Sequence, residues 1–208
     1  MIAALAVCGP AWAEASGFHA LLAMARQNPA VTDWAAVRAA WAASAAYDPF
    51  VGSTPLQAGM DAAVDRGDFA LASSLAEQAL KPHWLDLAAQ MQAAAAYQGL
   101  GQTARAALHQ RVAHGLLQAI LATGNGRAFS TAFHVLAQSE ELAVAQDARV
   151  HVRGQRRLHQ DGHWYDVLTV RHLSDKKLSE TYFEVDELVA REVWLEAGTQ
   201  AVDDAEAP

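Results

Sequence analysis

The sequence predicts an α+β fold, in which N-terminal antiparallel helical hairpins pack against a small C-terminal antiparallel β-sheet. Three observations predict it. Between residues 16 and 122 apolar residues recur every three or four positions, and alanine, the best helix former, supplies much of the 52% apolar content. A glycine–alanine pattern repeats inside that region with a period of 34 residues. After Gly124-Asn125-Gly126 the period changes, and alternating segments flank an Asp161-Gly162 turn. Together they place a single domain at residues 16–200, with a helical half at 16–122 and a β-rich half at 128–196.

The first residues read as an export signal. Met1 to Val7 is apolar, Cys8-Gly9-Pro10 follows, and Ala11-Trp12-Ala13 precedes Glu14, an apolar core before an Ala-x-Ala cleavage signal. Residues 1–13 are therefore expected to be a signal peptide and the mature chain to be periplasmic or secreted, although the positive segment that opens such signals is missing. Cys8 does not suit a lipid anchor, because Val7 is bulkier than the small residue such sites carry. Cleavage after Ala13 removes the one cysteine, which excludes disulfides and thiolate catalysis. No apolar run of about 18 residues follows, so no transmembrane segment is expected in the mature chain.

Phe18 to Gln27 presents Phe18, Leu21, Leu22 and Ala25 on one helical face and stops at Asn28-Pro29. Asp33 caps a second helix carrying Trp34, Val37, Ala40 and Trp41, which closes at Tyr47-Asp48-Pro49-Phe50. Gly52-Ser53-Thr54-Pro55 is a loop whose proline suits the first turn of the next helix. Gly67-Asp68-Phe69 then leads to Ala72, Ala79-Leu80 and Pro82. Thirty-four positions later Gly101-Gln102-Thr103 leads to Ala106, with Tyr97 four residues before that glycine. The pattern resembles the tetratricopeptide (TPR) repeat, a small residue at a tight interhelical turn and then alanine where the helices cross closely. It predicts two TPR-like hairpins, Leu56–Arg66 with Asp68–Leu80 and Trp84–Gln98 with Gln102–Leu121. Stacks of this kind need about three repeats, so the rest of the chain must cover their apolar faces.

Thr131 to Ala137 reads as a strand, and Ser139-Glu140-Glu141 opens a short helix that runs to about Gln146. Val150, Val152 and Leu158 alternate with His151, Arg153 and Arg157, Asp161-Gly162 turns the chain, and Trp164 to Val170 returns. Gly154 breaks the alternation and predicts a bulge. A polar loop from Ser174 to Ser179 precedes a third strand, Thr181 to Val185, and residues 187–196 lean to helix. Residues 201–208, ending Asp203-Asp204-Ala205-Glu206-Ala207-Pro208, are expected to form a disordered acidic tail.

Several of these segments resemble one family. Asp33-Trp34 through Arg38 to Tyr47-Asp48-Pro49-Phe50, Gly124-Asn125-Gly126, Thr131-Ala132-Phe133 with Val135, Glu140-Glu141, Gly154-Gln155 with Leu158, Tyr165-Asp166 and Tyr182-Phe183 occur in the order and spacing of an exported bacterial family catalogued as domain of unknown function 4919. The resemblance covers about residues 30–187 and departs at Leu142, where the family tends to carry an aromatic. It implies the fold and export and supplies no chemistry.

Charge and motifs narrow the chemistry. The formal net charge is -8. Nucleic-acid binders neutralise roughly 6–10 phosphates, and the only local basic excess, Arg149, Arg153, Arg156 and Arg157, reads as a solvated strand face, so no nucleic-acid partner is expected. Nine histidines raise metal binding. His109 and His114 share one helix but point roughly 140° apart. His159 and His163 flank the Asp-Gly turn, where they can face each other near Asp161, and read more simply as a polar hairpin end. There are no cysteine pairs and no His-Glu-x-x-His, so neither a metal site nor a cofactor is expected. There is also no Gly-x-Ser-x-Gly elbow and no phosphate loop.

Two candidate sites remain. The bare backbone of Gly124, Asn125 and Gly126 is a candidate ligand-binding loop for an anion or carbonyl, while its simpler role is to cap a helix with positive φ. Glu140, Glu141, His134 and Asp166 are candidate catalytic residues. A glutamate turned inward beside another carboxylate holds its proton and serves as a general acid. Otherwise Ser139 caps the helix and both glutamates favour its positive end. Trp34, Trp41 and Trp84 read as core, though aromatics on a concave helical surface also suit a peptide. The expected function is a TPR-like protein- or peptide-binding, or envelope-associated, module without catalysis. The alternative is a hydrolase with its carboxylate–histidine pocket between the two halves, so the sequence leaves open whether the chain is an enzyme.

Overall fold

The computed structural model describes residues 15–52 and 55–195. The expected signal at 1–13, Ser53-Thr54 and the expected acidic tail at 201–208 lie outside the described residues. The chain divides into two compact units, one ending at Tyr47 and the other starting at Asp48. The boundary thus precedes the helical hairpins instead of separating them from the sheet.

The first unit holds α1 (Ala15–Gln27) and α2 (Trp34–Ala42). Asp33 caps α2 as expected, accepting from the Ala36 amide at 3.0 Å. Phe18, Trp34, Val37, Trp41 and Tyr47 are buried. Trp41 meets Tyr47 edge-on, with ring centroids 5.1 Å apart, and its indole N–H donates to the Ala46 carbonyl at 3.2 Å.

The second unit opens with α3 (Pro55–Asp65), α4 (Phe69–Leu80), α5 (Leu87–Gly99) and α6 (Thr103–Leu121), each packed on the next. The 34-residue repeat has a physical basis at two turns. Gly67 and Gly101 both take positive φ, 72° and 70°. Gly67 N–H donates to Val64 O and Asp68 N–H to Ala63 O; Gly101 N–H donates to Gln98 O and Gln102 N–H to Tyr97 O. These are the paired bonds of the Schellman motif, which needs a left-handed residue and so favours glycine. Alanine does the rest. Ala63, Ala72 and Ala96 are fully buried in one cluster, and Ala76, Ala79, Ala89, Ala93 and Ala106 surround Met60 and Tyr97 in another. Small side chains let the helix backbones approach closely.

After α6 come a 3-10 turn (Phe129–Thr131), β1 (Phe133–His134), α7 (Gln138–Asp147), β2 (Val150–Gln160), β3 (His163–His172), β4 (Leu178–Glu184) and a helix, α8, over residues 186–195. The sheet is mixed and not purely antiparallel. Its order is β1-β4-β3-β2, and β1 pairs parallel with β4. Between them the chain passes through α7 and a hairpin, so β4 returns in the direction of β1. The strand expected over Thr131 to Ala137 shrinks to two residues, because Thr131 closes the 3-10 turn and Leu136 N–H is taken by a side chain, Glu140. Elsewhere the expected devices hold. Asp161 and Gly162 both take positive φ, and the register shifts between Val152 and Gly154.

Within the sheet, β3 is buried on both faces, whereas β2 is largely exposed. Tyr165, Val167, Leu158 and Tyr182 pack on one side with Phe129 and Ala132. The alternation puts Asp166, Leu168 and Val170 on the other, all buried. Helix α7 contacts β2, α5 and α6, and α6 also contacts β1. Hairpins and sheet therefore form one unit, and each covers apolar surface the other leaves.

Candidate functional site

The first turn of α7 is buried, and this sets the chemistry of its carboxyls. Ala137 occupies the N-cap position without a side-chain bond. Ser139 does not cap the helix as expected, because its hydroxyl donates instead to the Val51 carbonyl at 2.8 Å. Glu140 takes over: its Oε2 accepts from the Leu136 amide at 2.7 Å, satisfying an N-terminal donor where the helix dipole favours an anion. Glu140 is 3% exposed and Glu141 0%.

Glu141 meets Asp166, which also has 0% exposure. Gln155 Nε2 bridges them, donating to Glu141 Oε2 at 3.3 Å and to Asp166 Oδ2 at 3.2 Å. Arg157 holds Asp166 by both oxygens, Nε to Oδ1 at 2.8 Å and Nη2 to Oδ2 at 2.7 Å, and reaches Glu192 Oε2 through Nη1 at 2.7 Å. Such a two-pronged guanidinium–carboxylate pair is the strong form of the interaction. Burial, then the charge of Asp166 and a hydrogen bond to it, push the Glu141 carboxyl up to about 9, with Arg157 opposing. Glu141 is thus protonated at neutral pH and donates to Asp166, while Arg157 balances the charge of Asp166. Glu141 Oε1 has no hydrogen-bond partner among the described residues. Both carboxyls are buried, and the exposed strand residues Gln155 and Arg157 lie between them and solvent.

His134 is not part of it. Phe133 registers with Phe183, and Phe183 with Asp166, whereas His134 registers with Glu184, and Glu184 with Tyr165. His134 therefore points to the opposite face, where its Nε2 lies 2.7 Å from Glu187 Oε2. Of the four candidate catalytic residues the structure joins Glu141 and Asp166, leaves Glu140 as a helix cap beside them, and sets His134 apart. Gln155, Arg157 and Glu192 were missed. Arg157 does lie on an exposed strand, but its guanidinium turns onto a buried carboxylate; counting outward from the two-residue Asp161-Gly162 turn puts it opposite Asp166.

The family model for Domain of unknown function (DUF4919) matches residues 53–193. The chain belongs to the DUF4919 family. No curated protein and no solved structure matches it. In this DUF4919 chain the matched range begins after α2 and takes in α3 to β4, so the dyad lies inside it. Three of the segments that carry the DUF4919 resemblance, Glu140-Glu141, Gly154-Gln155 and Tyr165-Asp166, each send one side chain into the dyad.

The Gly124-Asn125-Gly126 segment of the DUF4919 chain is committed to the protein itself. Asn125 and Gly126 N–H both donate to Thr131 O, at 2.9 and 2.8 Å, and Tyr182 N–H donates to Gly126 O. A Cβ on Gly124 would stand 2.4 Å from the carbonyl oxygens of Thr131 and Ala132. Gly124→Ala is expected to lower stability by about 1–3 kcal/mol, the usual cost of overpacking, measured by urea unfolding. His159 and His163 form an exposed polar hairpin end, as expected, and do not face each other: His159 packs on Trp164, ring centroids 4.7 Å apart, and His163 Nδ1 pairs with Asp186 Oδ2 at 2.6 Å. Cross-strand register separates them, since His163 lies opposite Gln160. His109 stacks on Tyr97 and bonds Gln90, away from His114.

Proposed function

We propose that this protein is an exported, non-catalytic module whose TPR-like hairpins bind an amphipathic helix of another polypeptide. One observation carries the reading: a groove of about 390 Å³ between α5 and α6. Met91, Ala94, Ala95 and Gln98 line it from α5, and Gln110, Ala113, His114 and Leu117 from α6. Both sets have the spacing i, i+3, i+4, i+7, the stripe that one helix presents to a helical neighbour. Two walls of this kind suit a third helix, and their alanines let its backbone come close. The polar Gln98, Gln110 and His114 supply a rim. Export rests on the apolar core and Ala-x-Ala signal of residues 1–13, and mass analysis of the mature protein should give Glu14 as its first residue.

The test is selection of displayed amphipathic helical peptides on the full chain. Enriched peptides should carry apolar residues at i, i+3, i+4 and i+7. They should bind at least about tenfold more weakly to Ala95→Arg, which fills the groove from an exposed position and leaves a good helix former in α5. No enrichment, or equal binding to the variant, would refute the reading.

A second reading, a hydrolase, is favoured only by the protonated Glu141 beside Asp166. A general acid must come within hydrogen-bond reach of its substrate, and both carboxyls are fully buried. Turnover of ester, glycoside or phosphoester substrates that Glu141→Gln abolishes would establish that reading over the first.

A further inference from the structure

We propose that His134, Glu184 and Glu187 form a binding site for a divalent transition-metal ion of the zinc class. The three come from β1, β4 and the first turn of α8, and one ligand atom from each lies within 4.8 Å of the other two. An imidazole with two carboxylates is a nitrogen–oxygen donor set that suits Zn²⁺, and it leaves a fourth tetrahedral position for water. Small side-chain rotations bring such atoms onto one ion at about 2.0–2.2 Å.

The backbone is fixed where the ligands need it. His134 N–H donates to Thr123 Oγ1 at 2.8 Å, and Val135 N–H donates to Glu184 O across the parallel pair. Val185 and Leu188 are buried on either side of Glu187 and anchor the start of α8. The electrostatics ask for a cation. Glu184 is half-buried, no group among the described residues donates a hydrogen bond to its carboxylate, and it faces a second carboxylate, Glu187. Two neighbouring carboxylates repel, and a bound dication removes that cost. A second cluster shares Glu184 with His163 and Asp186. There both Asp186 oxygens are already engaged, by His163 Nδ1 at 2.6 Å and by the Trp164 amide at 2.5 Å, so that cluster reads as a clamp on the strand end.

The experiment is calorimetric titration of the chelator-treated full chain with Zn²⁺, with Mg²⁺ and Ca²⁺ as controls. One Zn²⁺ per chain is expected, with neither control competing at equal concentration. His134→Ala, Glu187→Gln and Glu184→Gln should each weaken Zn²⁺ at least about tenfold, while His163→Ala keeps wild-type affinity. Glu184→Gln is decisive, since its carboxylate has no hydrogen bond to lose and the neighbouring charge repels it: its metal-free melting temperature should equal or exceed wild type while its affinity falls. Co²⁺ in place of Zn²⁺ should give visible ligand-field bands that vanish in His134→Ala. Absence of Zn²⁺ binding, affinity unchanged across the three variants, or loss in His163→Ala would overturn the proposal.

Discussion

Arg157→Met is expected to destabilise the second unit by about 3 kcal/mol at neutral pH. Arg157 is the only cation that bonds Asp166 among the described residues, and Asp166 has 1% side-chain exposure. Removing one partner of a buried ion pair leaves an uncompensated charge and costs about 3–5 kcal/mol when both groups are buried. The lower end applies here, because the Arg157 side chain is 32% exposed and water screens part of the pair. Methionine keeps much of the volume, so packing contributes little. The double variant Arg157→Met, Asp166→Asn should recover part of the loss, since the stranded charge is gone. Chemical unfolding of the four proteins gives the coupling directly. Equal losses in the single and double variants would show that the ion pair does not set the stability of this region.

Glu141 makes stability fall with rising pH, and Glu141→Gln should abolish that fall. The carboxyl moves from an ordinary value of 4.5 to about 9 in the folded chain. Below about pH 4.5 it is protonated in both states, and its stabilising contribution is fully present. Between 4.5 and 9 the unfolded chain releases the proton while the folded chain keeps it, so stability declines across this window. Above about 9 the folded carboxyl ionises beside Asp166 and the contribution is lost, a total on the order of several kcal/mol. Glutamine keeps the shape and a donor toward Asp166 but does not titrate. Melting temperatures of wild type and Glu141→Gln should therefore converge at low pH and separate as pH rises toward 9. Parallel curves would mean that Glu141 is not the group that keeps the proton.

Much of the architecture is legible in the sequence, and the reason differs by element. The bounds of α3 to α6 follow from local signals, the glycines at the Schellman turns and the alanines at the crossings, which act within a few residues. The hairpin was equally legible, because a two-residue turn fixes every pairing outward from it. The parallel β1–β4 pair was not, since nothing local in Phe133-His134 specifies a partner near Phe183-Glu184. The site shows the same division. Glu141 and Asp166 stood out as carboxyls able to turn inward, and they do meet. His134 lies close to the glutamates in sequence, but strand alternation puts it on the other face. Ser139 looked like a cap by residue type, but tertiary packing on Val51 claimed its hydroxyl. A run of arginines resembles a solvated edge, and only the register reveals that Arg157 is opposite a buried aspartate.

The parallel pair has a kinetic consequence. Contacts among α3 to α6 join neighbours along the chain, whereas Phe133 must find Phe183 after α7 and the whole hairpin have intervened. Closing that long loop costs chain entropy before any contact rewards it. The helices of the second unit are thus set to assemble first, and the alignment of β1 with β4 becomes the late step that completes the sheet.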